Sequence, residues 1–96
     1  MARWVVVVQF GHAEQYKVEE VVRFEATPEQ ARASLYEIAR THRPRMGLRQ
    51  QRREVFRTGD GDAYYVHIDG MMSTHRVFYR LAELAWTSDP EGGYPH

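Results

Sequence analysis

Cysteine and asparagine are both absent from the 96 residues, and lysine occurs once, as Lys17. Without cysteine there are no disulfides, no thiolate metal ligands and no cysteine nucleophile. Small secreted domains usually depend on disulfides, so the expected compartment is the cytoplasm. Without asparagine there is no N-glycosylation site. Long apolar runs are missing as well. Val5-Val6-Val7-Val8, entered from Met1-Ala2-Arg3-Trp4, falls far short of the ~20 apolar residues of a membrane span. No small-residue cleavage site follows it, so neither a signal peptide nor a membrane partner is expected.

An excess of one charge is also lacking: thirteen basic side chains balance thirteen acidic ones. No global field therefore steers the chain toward nucleic acid or lipid. The distribution is less even than the total. Arg40, Arg43, Arg45, Arg49, Arg52 and Arg53 fall in a stretch free of acids that sums to +6, between flanks that sum to −2 and −4. A chain of this length makes one domain, expected over 1–88, with 89–96 as a flexible tail rich in Gly and Pro.

Residues 2–10 read as a strand with Trp4, Val6, Val8 and Phe10 on one face and Val5 and Val7 on the other. The valine run is stiff at χ1 and suits a pleated surface. Two apolar faces mark a central strand or one covered on both sides. Residues 16–26 alternate, with Tyr16, Val18, Val22, Phe24 and Ala26 opposite Lys17, Glu19, Arg23 and Glu25; Glu20 and Val21 break the pattern. The two segments predict an antiparallel hairpin.

Thr27-Pro28-Glu29-Gln30 carries the elements of a capping box with proline at the first helical position. Ala31, Leu35, Ile38, Ala39 and His42 then recur on one helical face, and Pro44 stops the helix. The pattern predicts a helix over 28–42. Residues 50–58 and 63–69 predict a second hairpin around Gly59-Asp60-Gly61-Asp62, with Asp60-Gly61 as a two-residue turn. The implied register sets Arg57 opposite Tyr64, Phe56 opposite Tyr65, Val55 opposite Val66, Glu54 opposite His67, Arg53 opposite Ile68 and Arg52 opposite Asp69. Complementary charge and aromatic pairs emerge together, as a genuine ladder requires.

Residues 74–86 are read first as a strand over about 74–81 running into a helical turn, on Arg76-Val77-Phe78-Tyr79-Arg80. A continuous helix is the second reading, since Val77, Leu81, Leu84 and Ala85 fit a helical stripe. The expected class is α+β: an antiparallel-rich sheet with one main helix on one face. A last strand parallel to the first would give instead a β-grasp, the ubiquitin-like fold. A last helix would give a duplicated strand-strand-helix unit. Gly92-Gly93 resembles the diglycine of ubiquitin-like modifiers and sulfur carriers, although Tyr94-Pro95-His96 follow and a protease would have to expose it.

No motif carries catalysis. The five histidines lack ligand spacing, and no Gly-rich phosphate loop or Gly-x-Ser-x-Gly elbow occurs. No metal or cofactor is expected. Asp60-Gly61-Asp62 is a turn, since an EF-hand would need an acid where Met71 stands. Tyr65, His67 and Asp69 share a strand face, about 7 Å apart at the usual rise, and read as a polar sheet face rather than a catalytic row. Two binding surfaces come forward. Phe78, Tyr79 and Trp86 are candidates for self-association, since aromatics concentrate at interface centres. Arg40 to Arg53, with Phe56, Tyr64 and Tyr65 on the adjoining hairpin, form a candidate polyanion site. The expected function is a small non-catalytic binding or interaction module that self-associates, with strand addition at a sheet edge as a route to a protein partner. Nucleic-acid binding through 40–53 is the alternative.

Overall fold

The structure, a computed structural model, describes residues 1–12, 15–43, 50–70 and 74–89. Strand β1 (Ala2–His12) and strand β2 (Gln15–Ala26) form a hairpin. Helix α1 (Pro28–Thr41) follows, and strands β3 (Gln50–Thr58), β4 (Ala63–Gly70) and β5 (Thr74–Glu83) complete a five-stranded antiparallel sheet in the order β2-β1-β5-β4-β3. The α+β class with one helix stands. Both variants fall: Thr74–Glu83 is a strand rather than a second helix, and it runs antiparallel to β1 rather than parallel as in a β-grasp. No helix among the described residues is long and apolar enough to cross a membrane.

The helix begins where its chemistry dictates. Gln30 N–H donates to Thr27 Oγ1 at 3.2 Å, and Thr27 N–H donates to Gln30 Oε1 at 3.0 Å, closing the capping box with Pro28 behind it. Two of the orphan donors of the first turn are thereby satisfied. Thr27→Ala is expected to cost about 1 kcal/mol in urea unfolding; an unchanged midpoint would show that the cap is idle.

The other end is held from across the sheet. Arg53 donates through one guanidinium nitrogen to Ala39 O at 2.8 Å and through the other to His42 O. A cation here also complements the negative end of the helix. His42 Nδ1 lies 2.8 Å from Tyr79 Oη, with the rings edge-to-face. Burial, helped by the Arg53 charge and opposed by Glu19, holds His42 below its ordinary value. Burial pushes the Tyr79 phenol up to about 12 against the pull of Arg53.

Alternation sorts the sheet into two faces. Val6 and Val8 of β1, Tyr64, Val66 and Ile68 of β4, and Val77 and Tyr79 of β5 point toward α1 and close over Leu35 and Ala39. Phe10, Val21, Phe24, Ile38, Val55 and Leu81 pack around that cluster. A bulge in β2 beside Val6/Val7 absorbs the irregularity at Glu20 and Val21. It also corrects the reading of β2. Val18 pairs with Gln9 and faces away from the helix, on the opposite side from Phe24, which pairs with Trp4. The β3–β4 register agrees with the predicted one at all six pairs. The turn differs: the last pair is Thr58–Ala63, and the positive φ values fall on Gly59 (57°) and Gly61 (93°) rather than on Asp60 and Gly61. The connection is thus a four-residue loop whose two left-handed positions are both glycine.

Candidate functional site on the uncovered sheet face

Alpha-helix packing occupies one face of the sheet, and no described element covers the other. Register places one complete row of side chains across that open face. Phe56 on β3 is opposite Tyr65 on β4, Tyr65 is opposite Phe78 on β5, Phe78 is opposite Gln9 on β1, and Gln9 is opposite Val18 on β2. Ring centroids are 6.2 Å apart for Phe56–Tyr65 and 4.9 Å for Tyr65–Phe78, with tilted planes. His67 closes the cluster, its Nε2 2.9 Å from Tyr65 Oη and its ring edge-on to both Tyr65 and Phe56. Val5 and Val7 extend the apolar surface along β1. Phe56 keeps 48% of its surface exposed and Val18 63%, unusual for apolar residues that nothing else requires to be there.

Charges of both signs border these residues and mostly cancel one another. Arg23 grips Glu20 at 2.7 and 2.9 Å, Arg52 meets Glu54 at 3.0 Å, and Arg3 meets Glu25 at 3.4 Å. On the central strand β5, Arg80 lies with its guanidinium carbon 5.2 Å from the Phe78 ring centroid, a cation–π contact. Arg76 and Arg80 flank Phe78 and form no ion pair among the described residues.

Of the three residues expected to self-associate, Phe78 lies within the row on this face. Tyr79, its neighbour in sequence, points the other way and is 0% exposed beneath α1, so it is removed from any surface. Trp86 is 72% exposed but sits eight residues beyond Phe78, past the end of β5. There it lines a groove of about 650 Å³ with Trp4, Val5, Phe24 and Leu84, flanked by Arg3 and Glu83.

Of the residues expected to hold a polyanion, the described arginines Arg40, Arg52 and Arg53 point to different sides of the fold. Arg53 is turned inward onto the end of α1, whereas Arg52, one residue away, is on the open face and tied to Glu54. Arg40 pairs with Glu37 and stacks 4.7 Å over Tyr36, on the helix side. Arg43 is exposed just after the helix, and Arg45 and Arg49 lie outside the described residues. Of the rings offered for base stacking, Phe56 and Tyr65 are on the open face and Tyr64 is buried in the core. Arg52 and Arg53 part because neighbours in a strand face opposite ways. Gly92 and Gly93 also lie outside the described residues.

The sheet edges are less inviting than the face. The edge strand β2 carries a bulge and exposes Lys17, Glu19, Glu20 and Arg23, devices that deter strand addition. Among the described residues no three His, Asp or Glu side chains converge as a metal ion would require. Compared with known proteins, the chain matches no family model, no curated protein and no solved structure.

Proposed function

We propose that the chain is a small non-catalytic binding module that works through the uncovered face of its sheet. The observation that carries this reading is the row Phe56–Tyr65–Phe78–Gln9–Val18, assembled from all five strands on the side that α1 leaves bare. The core is complete on the opposite side, so these residues are surplus to folding. Apolar side chains retained where folding does not need them mark a surface selected for contact. The Tyr65–His67 hydrogen bond belongs to this flat cluster rather than to a cleft that could enclose a substrate.

The reading is tested with an apolar fluorescent dye, anilinonaphthalene sulfonate, added to dilute native protein. Fluorescence is expected to rise with the wild type and to fall by more than half in Phe56→Ser/Val18→Ser, since both side chains are exposed on the face. The same double variant is expected to lose less than about 1 kcal/mol of unfolding free energy, as surface substitutions do. Dye binding indifferent to these substitutions, or a large loss of stability, would return the rings to a structural role.

A further inference from the structure

We propose that the occupant of the open face is a second copy of this chain, docked face to face about a two-fold axis that runs along β5. The proposal rests on the binding-face reading and adds the identity of the partner. Three observations carry it. The first is shape. β5 is the middle strand, and in the row through Phe78 the rings (Phe56, Tyr65) stand on one side and the smaller Gln9 and Val18 on the other. A two-fold along β5 exchanges the halves, so Phe56 and Tyr65 of each copy lie over Gln9 and Val18 of its mate, Phe78 meets Phe78, and the Arg23–Glu20 pair faces the small Thr58 and Ala63. An isologous interface needs this self-complementarity.

The second is charge. Three ion pairs on the face are already closed within one protomer, at Arg23–Glu20, Arg52–Glu54 and Arg3–Glu25. The chain as a whole carries no net charge, so no long-range field keeps two copies apart, and the repulsion is confined to Arg76 and Arg80 beside the axis. A polyanion would need a dense uncompensated cationic field, and Arg76 and Arg80 alone supply little of one. The third is area. Five strands ~4.8 Å apart, with outward residues ~6.6 Å apart along each, give roughly 500 Å² per copy over four rows. Two such faces come to about 1,000 Å², the lower limit for a specific interface. The dimer is therefore weak, and its equilibrium lies in an accessible concentration range.

The two-fold also brings Arg76 and Arg80 of each copy near their own counterparts beside the axis. Salt screens that repulsion. Raising the salt concentration is thus expected to tighten the dimer, whereas a nucleic-acid complex would weaken.

Sedimentation velocity of the full chain from about 1 µM to about 1 mM, a range spanning weak association, provides the test. The expected result is a monomer of 11.3 kDa passing to twice that mass, with the dimer favoured by added salt. Phe56→Lys and Val18→Lys, at exposed positions on the two edge strands that the two-fold sets against each other, should each raise the dissociation constant at least about tenfold, because a charge is then buried without a partner. Their far-ultraviolet circular dichroism should stay unchanged. A wild type that is monomeric throughout overturns the proposal, and if the dye still binds its face, the binding-module reading survives without it. A dimer indifferent to both substitutions also overturns it, because the contact then lies elsewhere. So does a monomeric wild type that retards a mixed single-stranded oligonucleotide at low salt, which would make nucleic acid the occupant.

Discussion

Leu35→Ala is expected to remove about 2–5 kcal/mol of stability, enough to bring a domain with a net stability of about 5–15 kcal/mol close to unfolding. Leu35 is 0% exposed and is the largest side chain that α1 places in the core. Alanine precedes it on the same helical face at Ala31 and follows it at Ala39, both fully buried. Those small residues let the helix approach the sheet closely, so one leucine fills the space that three larger side chains would otherwise share. The wall beneath it is built largely of Val6, Val8, Val66 and Val77, β-branched side chains held to few rotamers. They cannot swing in to fill the void, which places the cost well above the bare transfer term. At about 4–8 °C per kcal/mol for a chain of this size, thermal unfolding should move down by at least about 8 °C. A loss under about 1 kcal/mol would mean that α1 is loosely seated, and the division of the sheet into a covered and an open face would fail with it.

The contrast with Phe56 sharpens the point. Both residues are large and apolar, yet one is expected to matter for folding and the other for contact. Composition cannot separate them; the side of the sheet does. Much of that was legible in the sequence. The β3–β4 register could be read because its evidence is local: a short loop fixes the offset, and Glu54–His67 and Arg52–Asp69 are matched only in that offset. The helix was legible from its cap and its period. The two apolar faces of β1 were visible in Val5 and Val7 beside Val6 and Val8, and the structure assigns the first pair to the bare side.

The sequence favours a strand from Thr74; what was not legible is non-local, beginning with the extent of that strand to Glu83 in place of a helical turn. Leu81, Ala82 and Glu83 are helix formers, but the segment lies between β1 and β4, where both flanks offer unpaired backbone groups. Two ladders of hydrogen bonds outweigh an intrinsic preference worth a few tenths of a kcal/mol per residue. The bulge in β2 moved Val18 onto the other face, since one extra residue reverses everything on its far side and alternation alone does not say where it goes. Within the arginine stretch, the inward turn of Arg53 was hidden for a related reason. Density along the chain says nothing of direction, and only a sheet with α1 packed on it makes the end of that helix the natural place for Arg53.

Arg53→Met, which keeps most of the aliphatic stem and removes the guanidinium, is expected to cost about 2–3 kcal/mol. Hydrogen bonds from a charged donor are worth about 1.5–3 kcal/mol each, and the two carbonyls at the helix end retain some access to water. The cost should depend on pH in a definite direction. His42 is held below its ordinary value first by burial and then by the Arg53 charge, with Glu19 acting the other way. The unfolded chain therefore takes up a proton near pH 6.5 while the folded chain still resists it. The stability that neutral His42 lends is complete above that value and is lost as the pH falls through the lower folded value. Removing Arg53 takes away one of the two influences that depress it, so the variant loses less in acid than the wild type does. Urea unfolding at about pH 8 and about pH 5 should thus show the gap between the two proteins narrowing in acid, with the wild type alone showing the steeper decline. A gap that stays constant would mean that the Arg53 charge does not reach His42. A gap that widens would mean that the guanidinium protects the imidazole from acid rather than opposing its charge, and the latch drawn here between β3, β5 and the end of α1 would be wrong.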